Sequence, residues 1–174
     1  MKRFSILLAL CGVCFANSYT TSFPATENPV SEGGKWVGGQ SAGGHLWGDM
    51  RTTPGFAFGA TEPTQYGDPT AIMTGTWGAT QDATIVVHIP GARPSGCCFE
   101  TEVTLRGTIG VKQGDCTNTQ CITKYEILCS VSSTVPYLQV VKWLGKNGSF
   151  AYLAQNSSLS CANGDKLRAK ITGG

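Results

Sequence analysis

From Lys35 onward the chain is a succession of short apolar runs broken at intervals of roughly 8–15 residues by Gly, Pro or Asn, and no ten-residue stretch keeps a helical 3.6 period. That punctuation constrains the fold more than any single motif. Phe99-Glu-Thr-Glu-Val-Thr-Leu-Arg106 alternates strictly, with Phe99, Thr101, Val103 and Leu105 on one face and Glu100, Glu102, Thr104 and Arg106 on the other. A period of two is the signature of a half-buried strand. Comparable strands are expected over 82–89, 122–131, 137–144, 149–154 and 166–171, with weaker candidates at 44–50, 55–60 and 71–77. Pro90-Gly91, Ser95-Gly96, Gly114-Asp115, Asn147-Gly148 and Asn163-Gly164 supply the turns between them, since Gly and Asn tolerate the positive φ of tight hairpins. Charged residues make up only 14% of the chain and glycines number 23. Helical bundles carry more Lys and Glu than that, so an all-β, two-sheet antiparallel sandwich is expected.

The first sixteen residues, Met-Lys-Arg-Phe-Ser-Ile-Leu-Leu-Ala-Leu-Cys-Gly-Val-Cys-Phe-Ala, place a basic pair before an apolar run and small residues before a cleavage point after Ala16. This is the three-part pattern of a secretory signal, and it is too short for a membrane span. Residues 17–34 are rich in Ser, Thr and Pro and read as a flexible lead-in, leaving 35–174 as the folded domain. Loss of Lys2 and Arg3 takes the 13 basic residues to 11, equal to the 11 acidic ones. Nucleic acid and membrane insertion are therefore not expected, because binding to polyanions needs a basic excess.

Of the eight cysteines, Cys97, Cys98, Cys116, Cys121, Cys129 and Cys161 lie beyond the signal. An even set in an exported chain reads as disulfides. Cys116 and Cys121 bracket a polar loop and can close a short ring, whereas the adjacent Cys97 and Cys98 are expected to bond elsewhere. No Cys-x-x-Cys pair suggests zinc, and neither a metal nor a cofactor is expected.

Several residues carry chemistry on paper. Gly39-Gln40-Ser41-Ala42-Gly43 matches a nucleophile elbow, but no helix pattern follows and the alternating βα order is missing, so it reads as a loop. Glu100 and Glu102 point to one face about 6–7 Å apart, a spacing that glycosidases use, although surface charge on a strand explains them equally well. His88 stands in the apolar run Thr84-Ile-Val-Val-His-Ile89 and is expected to be buried with a hydrogen-bond partner, while His45 lies in a Gly-rich segment. Tyr137, Gln139 and Trp143 share a face and could stack on a sugar ring and bond its hydroxyls; Trp47 is a further candidate, with core packing as the competing role. Asn147 and Asn156 head glycosylation sequons.

The ordered fragments Trp77-Gly-Ala-Thr-Gln-Asp-Ala-Thr-Ile-Val-Val87, Glu102-Val-Thr-Leu-Arg106, Tyr125-Glu-Ile-Leu128, Tyr137-Leu-Gln-Val-Val-Lys-Trp143, Gly148-Ser-Phe150 and Gly164-Asp-Lys-Leu-Arg-Ala169 resemble the concanavalin A-like lectin/glucanase superfamily, specifically its secreted laminin-G-like jelly-roll domains of unassigned function. The resemblance implies a two-sheet jelly roll whose ligands lie on the concave sheet or its rim. It also implies final strands after the Gly164–Ala169 run, so a chain ending at Gly174 is expected to be C-terminally short and to self-associate through its last strand. The Glu-x-Asp-x-x-Glu signature of the glucanases and the Gln-(Ile/Val)-His signature of the alginate lyases are absent. The expectation is a secreted, non-catalytic module that binds polysaccharide or glycan; a structural surface protein and a divergent lyase or hydrolase are the alternatives.

Overall fold

The computed structural model describes residues 17–39, 48–59, 69–109, 122–145 and 149–173. Among them the chain is all-β and contains no helix. Ten strands follow in order: β1 Trp36–Gly38, β2 Met50–Thr53, β3 Phe56–Gly59, β4 Ala71–Met73, β5 Gln81–Val86, β6 Glu100–Ile109, β7 Ile122–Ser130, β8 Leu138–Gly145, β9 Phe150–Asn156 and β10 Lys166–Ile171. Strands β6-β7-β8-β9 form an antiparallel meander, β5 pairs with β10, β2 with β3 and β1 with β4, all antiparallel.

The turn chemistry accounts for two of these junctions. Pro54-Gly55 closes the β2–β3 hairpin, where Gly55 has φ +93° and Thr53 pairs with Phe56. Pro followed by a residue at positive φ is the type II arrangement that favours Gly at the third position. Asn163-Gly164 leads into β10: Gly164 adopts φ +89°, its N–H donates to Val87 O, and Asn163 Oδ1 accepts from Ile89 N–H. This junction ties the end of the β5 segment to the start of β10. The Gly114-Asp115 and Asn147-Gly148 turns lie outside the described residues, as do the signal segment 1–16, Ser41, His45, Trp47, Cys116, Cys121 and Asn147.

One face of the meander carries the larger apolar core. Val103 and Leu105 of β6 and Cys129 of β7 are buried against Val87, Ile89, Leu167, Ala169 and Cys161. The β5–β10 pair thus lies over the β6 end of the meander in a sandwich-like arrangement. The Cys129–Cys161 disulfide sits inside that core and joins β7 to the segment before β10. Lys166, Arg168 and Lys170 face solvent while Leu167 and Ala169 are buried, as the alternation predicts.

Five sequence expectations change. The 82–89 strand runs over 81–86, and its alternation continues past the strand end, with Ala83, Ile85, Val87 and Ile89 packed inward. His88 consequently points outward and is exposed, stacked on Phe56 with ring centroids 4.1 Å apart. Phe99 precedes β6 and is 46% exposed, so the inward row begins at Thr101. Cys97 and Cys98 lie at bonding distance of one another, because Cys98 has φ +71° and that left-handed backbone folds the two adjacent side chains together. Arg106 leaves its expected face at the irregularity between Leu105 and Thr108, where it also adopts a positive φ.

The 17–34 stretch contains no strand, yet it is held at several points. Val30 is buried and its N–H donates to Met50 O. Glu32 accepts from Tyr19 Oη, Thr21 Oγ1 and Trp36 Nε1. Burial opposes ionisation of Glu32, but those three donors outweigh it and hold its carboxyl below the ordinary value. A polar, Pro-containing segment can dock without regular structure when its carboxylates gather local donors.

Candidate functional site

The second face of the meander is assembled by register. Glu102, Leu128, Gln139 and Gln155 form one cross-strand row; Thr104, Glu126, Val141 and Tyr152 form the next; Lys124, Trp143 and Phe150 form a third. Directly paired residues share a face, so three runs that alternate separately in sequence combine into one surface. Tyr137, immediately before β8, is bound to the same surface: its hydroxyl donates to the Glu100 carboxylate.

At the centre lies a buried ionic cluster. Glu126 is 2% exposed and Lys124 5%. Lys124 Nζ stands 2.5 Å from Glu126 Oε1, and Trp143 Nε1 donates to Glu126 Oε2 at 2.6 Å. The same ammonium lies 5.3 Å from the Trp143 ring centroid, close enough for a cation–π contact. Glu102 completes the group, paired across the sheet with Leu128 and close enough to Glu126 to feel its charge.

The two carboxyls are driven apart in acidity. Burial, then the negative charge of Glu126, pushes Glu102 well above the ordinary range, with Lys124 opposing. Burial acts on Glu126 in the same sense, but the Lys124 charge and hydrogen bonds involving Glu102, Lys124 and Trp143 overcome it, and Glu126 lies below its ordinary value. Of the two, Glu102 therefore keeps its proton to higher pH. Tyr137 is likewise pushed upward, first by burial and then by its bond to Glu100.

Beside the cluster runs an aromatic strip. Trp143 and Phe150 have ring centroids 5.2 Å apart and tilted, and Phe150 meets Tyr152 edge-on at 5.4 Å. Exposure rises along the strip, from Trp143 at 7% to Tyr152 at 58%. Of the residues proposed from sequence, Tyr137, Gln139 and Trp143 do share this surface. Tyr137 and Trp143 are buried with Leu128 and Val141, however, so the accessible rings belong to Phe150 and Tyr152. Asn156 is exposed at the end of β9, with Oδ1 accepting from Ser158 N–H.

Sequence reasoning passed over Lys124, Glu126 and Phe150. A signal existed for the first pair: Lys124, Glu126 and Leu128 alternate within the 122–131 run. The pairing register that places them beside Glu102 and Trp143 could not be read from that alternation.

The arrangement restricts the chemistry. Glycoside hydrolysis needs two carboxyls flanking the bond at about 5–5.5 Å or 6.5–9.5 Å. Glu126 is instead buried and engaged by Lys124 and Trp143, away from solvent and from any substrate. Among the described residues no group of three or more His, Cys, Asp or Glu is placed to hold a metal ion. No protein-family model, curated protein or solved structure matches the chain.

Proposed function

We propose that this chain is a secreted, non-catalytic carbohydrate-binding module, built on a jelly-roll sandwich of the concanavalin A-like type. The observation that carries the reading is the graded aromatic strip Trp143–Phe150–Tyr152 alongside Gln139 and Gln155, on the meander face opposite the β5–β10 layer. Sugars present an apolar ring face and a rim of hydroxyls. An aromatic flanked by amides complements both. The cluster beneath gives the strip a fixed base, because Trp143 is held by Glu126 and by its tilted ring contact with Phe150. Burial of Glu126 under Lys124 and Trp143 disfavours the hydrolase alternative. The disulfides agree with export into an oxidising compartment.

The test is a glycan array with the purified chain beginning at Asn17. Specific glycan binding is expected, weakened roughly 3–10-fold by Tyr152→Ala, the scale of one aromatic contact. Trp143→Ala is the poorer probe, since that ring is buried and its loss damages the fold. A blank array from a folded chain would replace this reading with that of a structural surface protein, and release of shortened products would replace it with an enzyme.

A further inference from the structure

The opposite face of the meander holds a second site beyond the apolar core. Tyr125 and Lys142 are direct cross-strand neighbours there, as are Thr123 and Leu144. Lys142 Nζ lies 5.8 Å from the Tyr125 ring centroid. Arg106 joins them because of the irregularity in β6. Strict alternation would send its side chain to the Glu102 face, but at φ +51° it turns toward the β5–β10 layer, where Nε donates to Ala79 O at 2.7 Å and Nη2 to Gly173 O. Together these residues line a depression of about 290 Å³ at the end of the sheet.

Lys124 and Trp143 also line the depression, and Lys124 is committed to Glu126; the other two cations, Arg106 and Lys142, have no carboxylate partner among the described residues. The two carbonyls occupy Nε and one Nη2 hydrogen of Arg106 without neutralising its charge, and its other N–H groups remain to donate. Arg106 is partly covered and Lys142 exposed, so one cation is fixed and the other can close on a ligand. A phenol, the Thr123 hydroxyl and the Leu144 side chain supply further polar and apolar contact. The volume stands at the low end for small-molecule sites, room for a single ring but not for a chain of them.

The geometry points to a site for one anionic sugar unit, a uronate or a sulfated hexose, held by Arg106 and Lys142. The inference rests on the carbohydrate-binding reading only in making the ligand a sugar; Tyr125 and Lys142 stand on the sheet face opposite Phe150 and Tyr152, with Trp143 the one residue common to the two linings. A bidentate guanidinium suits a carboxylate or sulfate, and a second cation beside it raises affinity through charge that salt can screen.

Calorimetric titration of the full chain discriminates the outcomes, with four probes: a trigalacturonate, its fully methyl-esterified form, a sulfated hexose trimer and inorganic sulfate. The acidic or sulfated trimer is expected to bind at least about 5-fold more tightly than the ester at low salt, with the advantage shrinking as salt rises. The tighter of the two anionic trimers names the group. Lys142→Gln should remove that advantage, and its exposed position keeps the variant folded; Tyr152→Ala should leave it intact. Equal binding of acid and ester, or an unaltered advantage in Lys142→Gln, overturns the site. Inorganic sulfate binding as tightly as the trimers overturns the sugar and leaves a bare anion site. Loss of the glycan-array signal in Tyr152→Ala with the acid preference retained separates this site from the aromatic strip.

Discussion

The two faces of the β6–β9 meander are built by the same period-two alternation and solve burial in opposite ways. On one, Val103, Leu105 and Cys129 meet the β5–β10 layer and the burial is almost wholly apolar. On the other, Lys124, Glu126 and Trp143 are just as inaccessible, and two of the three are charged. An apolar face gains free energy in proportion to the area covered, whatever the detailed contacts. A charged interior is tolerable only while every partner is present, because desolvation costs several kcal/mol per ion. The first face is robust, and the second is specific and fragile.

Removing one member of the ionic cluster is the strongest way to expose that difference. Lys124→Met is expected to cost about 3–5 kcal/mol, since it leaves ionised Glu126 buried beside Glu102 with its countercharge gone. Adding Glu126→Gln should recover most of the loss, because the amide still bonds Trp143 and carries no charge. Urea unfolding of the two variants measures this, and equal stabilities would show that the pair is not energetically coupled. On the apolar face Leu105→Ala should cost about 3 kcal/mol through lost contact and a residual cavity. No second substitution of a neighbouring charge should rescue it.

The acidity difference sharpens the comparison further. Glu102 is raised, so its contribution is fully present below the ordinary glutamate range and is lost as pH climbs through its elevated value. Glu126 is lowered, so its contribution is present above the ordinary range and is lost as pH falls through its depressed value. Stability should therefore peak in weakly acidic solution, with the neutral-side decline no steeper than about 1.4 kcal/mol per pH unit for one proton. Glu102→Gln, which keeps a donor and carries no charge, should flatten the neutral side alone. A decline that survives in Glu102→Gln would assign the titration to another group. Asp82 and Arg168 provide a contrast: their ion pair is exposed, and a pair in water contributes little.

Much of the scaffold was legible in the residues. The strand over Lys166–Ile171, the inward row Val103 and Leu105, and the Asn163-Gly164 turn follow from alternation and from backbone φ preferences, which are local properties. The same local reasoning placed Tyr137, Gln139 and Trp143 on a common face. It went astray where burial depends on what lies opposite. His88 looked internal because its neighbours are apolar, yet the strand had only one covered side. Trp143 had two readings from sequence, platform or core, and its packing with Leu128 and Val141 decides for the core.

What the sequence determined by itself is the strand class, the turns and the two-sided character of each strand, because these depend on near neighbours and on the fixed geometry of the extended chain. Register was decided only in the tertiary structure. It set Glu126 of β7 against Glu102 of β6 and Trp143 of β8, and it carried Arg106 across the sheet through one irregular step. A shift of a single residue in pairing would exchange the faces and dissolve both sites while leaving every local propensity unchanged. The chemistry therefore belongs to the pairing, which long-range packing selects and no short window of residues encodes.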